Sequence, residues 1–203
     1  MSLRTPLPPS AGDYWQHRQS ANRSTDKHED IYLKVGHALS TWESFEYTLV
    51  MLFCHFVEAK INNAAQRAFG SISASNARME ALDKAAQVYF HLHGVNEGLQ
   101  DQFNLLRKHA DRARERRNDI AHGVVNSVGV QGDPNVGGVF LIPAMYSSRK
   151  IAAFHVPSAD PLSFLKGSYR LTAQDIDVII GKFNHLQVAS GMFFTDLVTA
   201  FPP

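Results

Sequence analysis

Apolar positions recur along most of this chain at intervals of three and four. From Glu29 to Lys60, the residues Ile31, Val35, Ala38, Trp42, Phe45, Leu49, Phe53 and Phe56 fall on one face at about 100° per residue, which predicts a long helix with a wide apolar stripe. Residues 61–75 hold a short helical piece and a loop. A second long helix is expected over Asn76–His93, with Met79, Leu82, Ala86, Tyr89 and Phe90 inward and Gly94 as its stop. A third runs from Val95 to His122 and is ended by Gly123. The last opens on Thr172 and Asp175, spaced as a capping box, and continues to about Ala200 with Ile176, Ile179, Ile180, Phe183, Phe194, Leu197 and Val198 inward.

The rhythm changes between the third and fourth of these helices. "GVVNSVGV", "GVFLIPAMY" and "KIAAFHV" are short, β-prone and separated by turn-forming residues, so residues 123–157 are expected to form a meander of two or three strands. So few strands cannot carry a core and should lean on the helices. The fold class expected is mainly α: an antiparallel four-helix bundle with a small β-meander inserted between the third and fourth helices. Residues 1–28 are rich in proline, serine and charge without periodicity. They read as a flexible N-terminal tail, with Tyr14 and Trp15 able to pin it, ahead of a single helical domain over 29–203.

Composition adds constraints. The chain has 203 residues, of which 44% are hydrophobic, so a sizeable core is expected rather than disorder. A formal charge of +1 excludes a polybasic nucleic-acid coat and leaves room for a local basic site. The single cysteine, Cys54, lies in an apolar run and reads as a buried free thiol in a reducing, cytoplasmic compartment. Apolar runs such as "TLVMLFCHFV" are interrupted and too short to span a bilayer, and no secretory signal is apparent, so no membrane association is expected. His91 and His93 are two apart and point to opposite sides of a helix, Cys54 and His55 are adjacent, and "GDPNVGG" lacks the Lys-Ser/Thr ending of a phosphate loop. Neither a metal nor a cofactor is expected.

The stretch that departs from this plain picture is "RRNDIAHG", residues 116–123. On the third helix Leu106, Ala110, Ala113, Ile120 and Ala121 define the apolar stripe. By the helical wheel Arg117 projects into its middle, while Arg112, Arg114 and Arg116 project to its edges or away. Asn118 and His122, four apart, share a face beside it. Within the stripe of the first helix, Glu46 is a carboxylate that needs a cation, and Arg117 is the cation expected to meet it; Gln187 of the last helix is a weaker candidate. Lys108, Arg112, Arg114 and Arg116 are candidates to guide an RNA backbone, or else form a solvated face. A structural account also stands: an Arg–Glu pair can fix the register of a bundle, and a histidine in a last turn complements the helix dipole.

"RNDIAHG" at the end of the third helix, the first-helix sequence "VGHALSTWESFEYTL" and a short β insertion before a final helix together resemble the HEPN superfamily over about residues 29–200. Its motif is Arg, a polar residue, then His after four to six intervening positions, matched here by Arg117, Asn118 and His122. Arg116 fits the five-residue form only without the polar follower. Glu46 matches a polar first-helix position that many members keep. The resemblance implies a homodimer that brings two Arg/His motifs into one cleft. It implies a metal-independent endoribonuclease with Arg117 and His122 catalytic and Asn118 and Glu46 supporting. RNA would be the substrate, and an antitoxin or phage-defence protein a further partner. Other members are inactive and serve as nucleotide-, RNA- or protein-binding modules. The residue types suit the chemistry: imidazole titrates near neutrality, and arginine holds phosphate in a bidentate fork.

Overall fold

The computed structural model describes residues 6–17, 21–60, 62–95, 97–130, 133–144 and 169–202. The protein is mainly helical with a small antiparallel sheet. Among the described residues the elements are α1 (Ala11–Tyr14), α2 (His28–Phe56), α3 (Asn62–Gly70), α4 (Ser75–His93), α5 (Glu97–Ala121), β1 (Gly123–Val130), β2 (Asp133–Pro143) and α6 (Ala173–Ala200). None of these helices is long and apolar enough to cross a membrane.

The ends of the helices follow from local chemistry. The backbone N–H of Lys27, just ahead of α2, donates to the carboxylate of Asp30 at 2.8 Å. At the start of α6 the expected capping box is present: Thr172 N–H donates to Asp175 Oδ2 at 2.9 Å and Asp175 N–H to Thr172 Oγ1 at 3.2 Å. Gly94 ends α4 in the left-handed region at φ 58°, with its N–H on the Phe90 carbonyl.

The chain divides into two compact units. The first holds the described residues within 1–14, 42–112 and 183–203, with the C-terminal part of α2, all of α3 and α4, most of α5 and the C-terminal part of α6. The stripe expected on α4 is the one observed: Met79, Leu82, Ala86, Tyr89 and Phe90 are all buried. Phe56 of α2 meets Tyr89, Phe90 and Phe103 with ring centroids 5.5, 5.4 and 5.4 Å away, an aromatic cluster that ties α2, α4 and α5. Trp42 packs on Phe183 of α6 at 5.4 Å.

The second unit holds the described residues within 15–41 and 113–182. Its sheet pairs β1 with β2, Gly123 opposite Pro143, with an irregularity at Gly129/Val130. Phe140 and Ile142 are buried on one face, with Ala21, Val128 and Val136 packed against them. The third strand expected over "KIAAFHV" lies outside the described residues.

Parts of the stretch expected to be a flexible tail make packed contacts among the described residues. In the first unit His109 is hydrogen-bonded to the Pro8 carbonyl at 2.7 Å, and the Tyr14 hydroxyl pairs with Nδ1 of His185 at 3.0 Å. In the second, Trp15 is buried, and residues 22–24 lie along β2: Gly137 N–H donates to the Asn22 carbonyl and Ser24 N–H to the Gly137 carbonyl, at 2.8 and 2.9 Å. Gly138, at φ 123°, lets the two backbones approach, since a Cβ there would run into Ser24. Lack of periodicity reflects a segment that docks through a few large side chains and its backbone rather than through a repeating face.

Candidate functional site

Arg117, Asn118 and His122 lie at the C-terminal end of α5, in the second unit. The helical hydrogen bonding runs one residue past Ala121, because His122 N–H donates to the Asn118 carbonyl at 3.0 Å. Asn118 and His122, one turn apart, are exposed. Arg117 is half-buried. Its Nη1 donates to Asn118 Oδ1 at 3.2 Å, while its Nε is buried and has no hydrogen-bond partner among the described residues. The expected trio therefore shares one helix terminus, with the imidazole open to solvent and the guanidinium half-buried beside Asn118.

Asp119 sits between them in sequence and is turned fully inward, with 1% of its surface exposed. Its Oδ2 receives Arg116 Nη2 at 3.1 Å and His17 Nε2 at 3.0 Å, and its backbone carbonyl accepts the Tyr169 hydroxyl at 2.6 Å. The rings of His17 and Tyr169 stack at 5.2 Å. Burial, reinforced by the negative charge of Asp119, holds the Tyr169 hydroxyl well above the ordinary phenol range, so it stays a protonated donor.

Arg116, expected to point outward as an RNA-backbone candidate, instead folds toward this carboxylate with 13% of its side chain exposed. The cause is the Asp119 carboxylate three residues on, turned inward where His17 meets it, which draws the guanidinium back across the helix. Of the other backbone candidates, Lys108 and Arg112 are exposed and Arg114 is half-buried.

Glu46 does not play the role expected of it toward Arg117. Its Oε2 receives Arg78 Nη1 at 2.6 Å and its Oε1 the Trp42 indole N–H at 2.8 Å, so α4 supplies its cation. Gln187 is half-buried. Cys54 is buried, which pushes its thiol up, and His55 beside it is bonded to the Tyr89 hydroxyl at 2.9 Å. His93 pairs with Glu58 at 3.0 Å. No group of three or more His, Cys, Asp or Glu among the described residues is arranged to hold a metal ion.

Gly123 stands just past the end of α5, as expected, and it has no positive φ. It opens β1, and a Cβ on it would meet Leu141 Cγ at 2.7 Å and the Asp119 carbonyl at 2.9 Å. Its glycine is needed for close approach, not for handedness.

Sequence reasoning missed Asp119, His17 and Tyr169. The signal for Asp119 was a carboxylate adjoining Ile120 in the stripe; nothing in the spacing of the chain pointed to the other two. Fold and site together define a mainly helical protein whose most highly charged helix, α5, ends in an exposed Asn/His pair beside a partly buried arginine. Compared with protein-family models, curated proteins and solved structures, the chain matches none.

Proposed function

We propose that this chain is a HEPN-like, metal-independent endoribonuclease that acts as a homodimer, with Arg117 and His122 as its catalytic residues. In this reading the helices form the four-helix bundle of that superfamily, and the protein works in the cytoplasm in phage defence or a toxin–antitoxin pair. The observation that carries the reading is the exposure of His122 and Asn118 at the helix end that also carries Arg117, while Asp119 of the same short stretch is buried and tied down.

The chemistry follows from these groups. One His122 takes the proton of the RNA 2′-hydroxyl as that oxygen attacks the adjacent phosphorus. The bond from phosphorus to the 5′-oxygen breaks, and the departing oxygen receives a proton from a second imidazole. Arg117 stabilises the charge that builds on the phosphoryl oxygens, and Asn118 holds its guanidinium through the Nη1–Oδ1 hydrogen bond. One histidine does not readily give and take a proton in the same step; two copies related by a twofold axis do.

The test is cleavage of RNA in the presence of EDTA. The wild-type protein should cut, and His122→Ala and Arg117→Ala should each lose about 10²-fold or more in rate. Activity that persists in both variants overturns the assignment. If the wild-type protein does not cut RNA but binds it, and both variants lose that binding, a non-catalytic binding module is the better description.

A further inference from the structure

We propose that His17, delivered by the N-terminal segment, is a positioning residue for the Arg117/His122 site; the proposal rests on the ribonuclease reading above. The last turn of any helix carries carbonyls without intrahelical partners and frays readily. Here that turn bears Asn118 and His122, so its order decides whether a guanidinium and an imidazole are held in register. The turn is pinned at Asp119 from three sides. Arg116 of the same helix and His17, a residue 102 positions earlier, share Asp119 Oδ2, and Tyr169 donates to the Asp119 carbonyl.

His17 touches two parts of this arrangement, since its ring also stacks on Tyr169 at an interplanar angle of 25°. The segment carrying it is seated rather than loose. Trp15, two residues before, is buried, and the Lys182 ammonium lies 5.9 Å from its ring centroid. The cavity beside His17 and Arg116 is about 20 Å³, room for a water molecule and not for a nucleotide. His17 therefore works on Asp119 rather than on substrate. Asp119 passes the restraint to its immediate neighbour Asn118 and, one turn on, to His122. Misplacement of a reacting group by about 1 Å is enough to lower a rate by about 10²-fold.

The experiment uses the full chain and two variants, His17→Leu and His17→Gln. Leucine keeps bulk against Tyr169 and offers no donor; glutamine restores an N–H toward Asp119. Amide hydrogen exchange is read residue by residue, and RNA cleavage is measured across pH. His17→Leu should lose protection at residues 118–123 and lower kcat by about tenfold or more with little change in KM. His17→Gln should recover both and keep the wild-type pH profile. Unchanged protection at 118–123 in His17→Leu overturns the proposal, and so does a loss of protection spread evenly over all helices. If His17→Gln regains protection but loses a limb of the pH profile, His17 carries a proton itself and the positioning role is wrong. Should the wild-type protein fail to cut RNA, the ribonuclease reading falls, while the exchange pattern still decides whether His17 holds the turn.

Discussion

Buried ionisable side chains in this protein are handled in two ways. Asp119 keeps a carboxylate inside by surrounding it with donors, and the balance is a narrow one: removing one partner of a buried charge pair typically costs about 3–5 kcal/mol. His109 and His55 are handled by neutrality. Burial holds the His109 imidazole below its ordinary value; His185 nearby adds to this, and the hydrogen bond to the Pro8 carbonyl opposes it. His55 is lowered first by burial and then by His93, against an opposing pull from Glu58. The consequence for stability has a definite sign. Above the ordinary imidazole value of about 6.5 both states are neutral and the fold is indifferent to pH. Below it the unfolded chain takes up protons that the folded chain refuses, so stability falls as pH falls until the lowered folded values are passed. Thermal melts from pH 7.5 to 5 should show this loss. His109→Gln, which keeps a donor for Pro8, should have a shallower acid slope than wild type. An identical slope would show that His109 takes up its proton freely in the folded protein.

At the level of elements, the end of α5 is where a helix, a strand and the segment before α6 are locked together. Leu141 of β2 exchanges two backbone hydrogen bonds with Leu171, both 2.9 Å, and its side chain fills the space over Gly123. Gly123→Ala would drive a methyl group into Leu141 and into the Asp119 carbonyl. The leucine can move but the carbonyl is backbone, so the variant should be destabilised by about 1–3 kcal/mol, read as a shift in the urea midpoint. A wild-type midpoint would mean that the approach is looser than the contact distances show. The same region shows how far sequence carries. Helix positions, the α4 stripe, the Thr172/Asp175 box and both described strands follow from periodicity and capping chemistry, which are local. The choice between Arg116 and Arg117 as the inward guanidinium is not local. The two are neighbours about 100° apart on the wheel, and Asp119, held by His17 and Tyr169 from distant parts of the chain, draws Arg116 in. For the same reason a stripe position identifies Glu46 as needing a cation without saying that Arg78 supplies it.

The behaviour of the whole molecule turns on whether one copy is enough. A charge of +1 gives two copies little electrostatic reason to repel each other, so association is open to short-range contacts. If the cleft needs His122 from both subunits, one as base and one as acid, a mixed dimer with a single His122 is inactive. Wild-type protein exchanged with an equal amount of His122→Ala should then retain about a quarter of the activity of the same total concentration of wild type, whereas independent monomers would retain about half. The measurement is made at a fixed total concentration after subunits have been allowed to re-equilibrate, with size-exclusion chromatography to show that mixed dimers have formed. A decline that is linear in the wild-type fraction, with mixed dimers present, rules out a shared cleft and assigns both proton transfers to groups within one chain. A quadratic decline, together with a rate that falls faster than protein concentration on dilution, places the two imidazoles in one site.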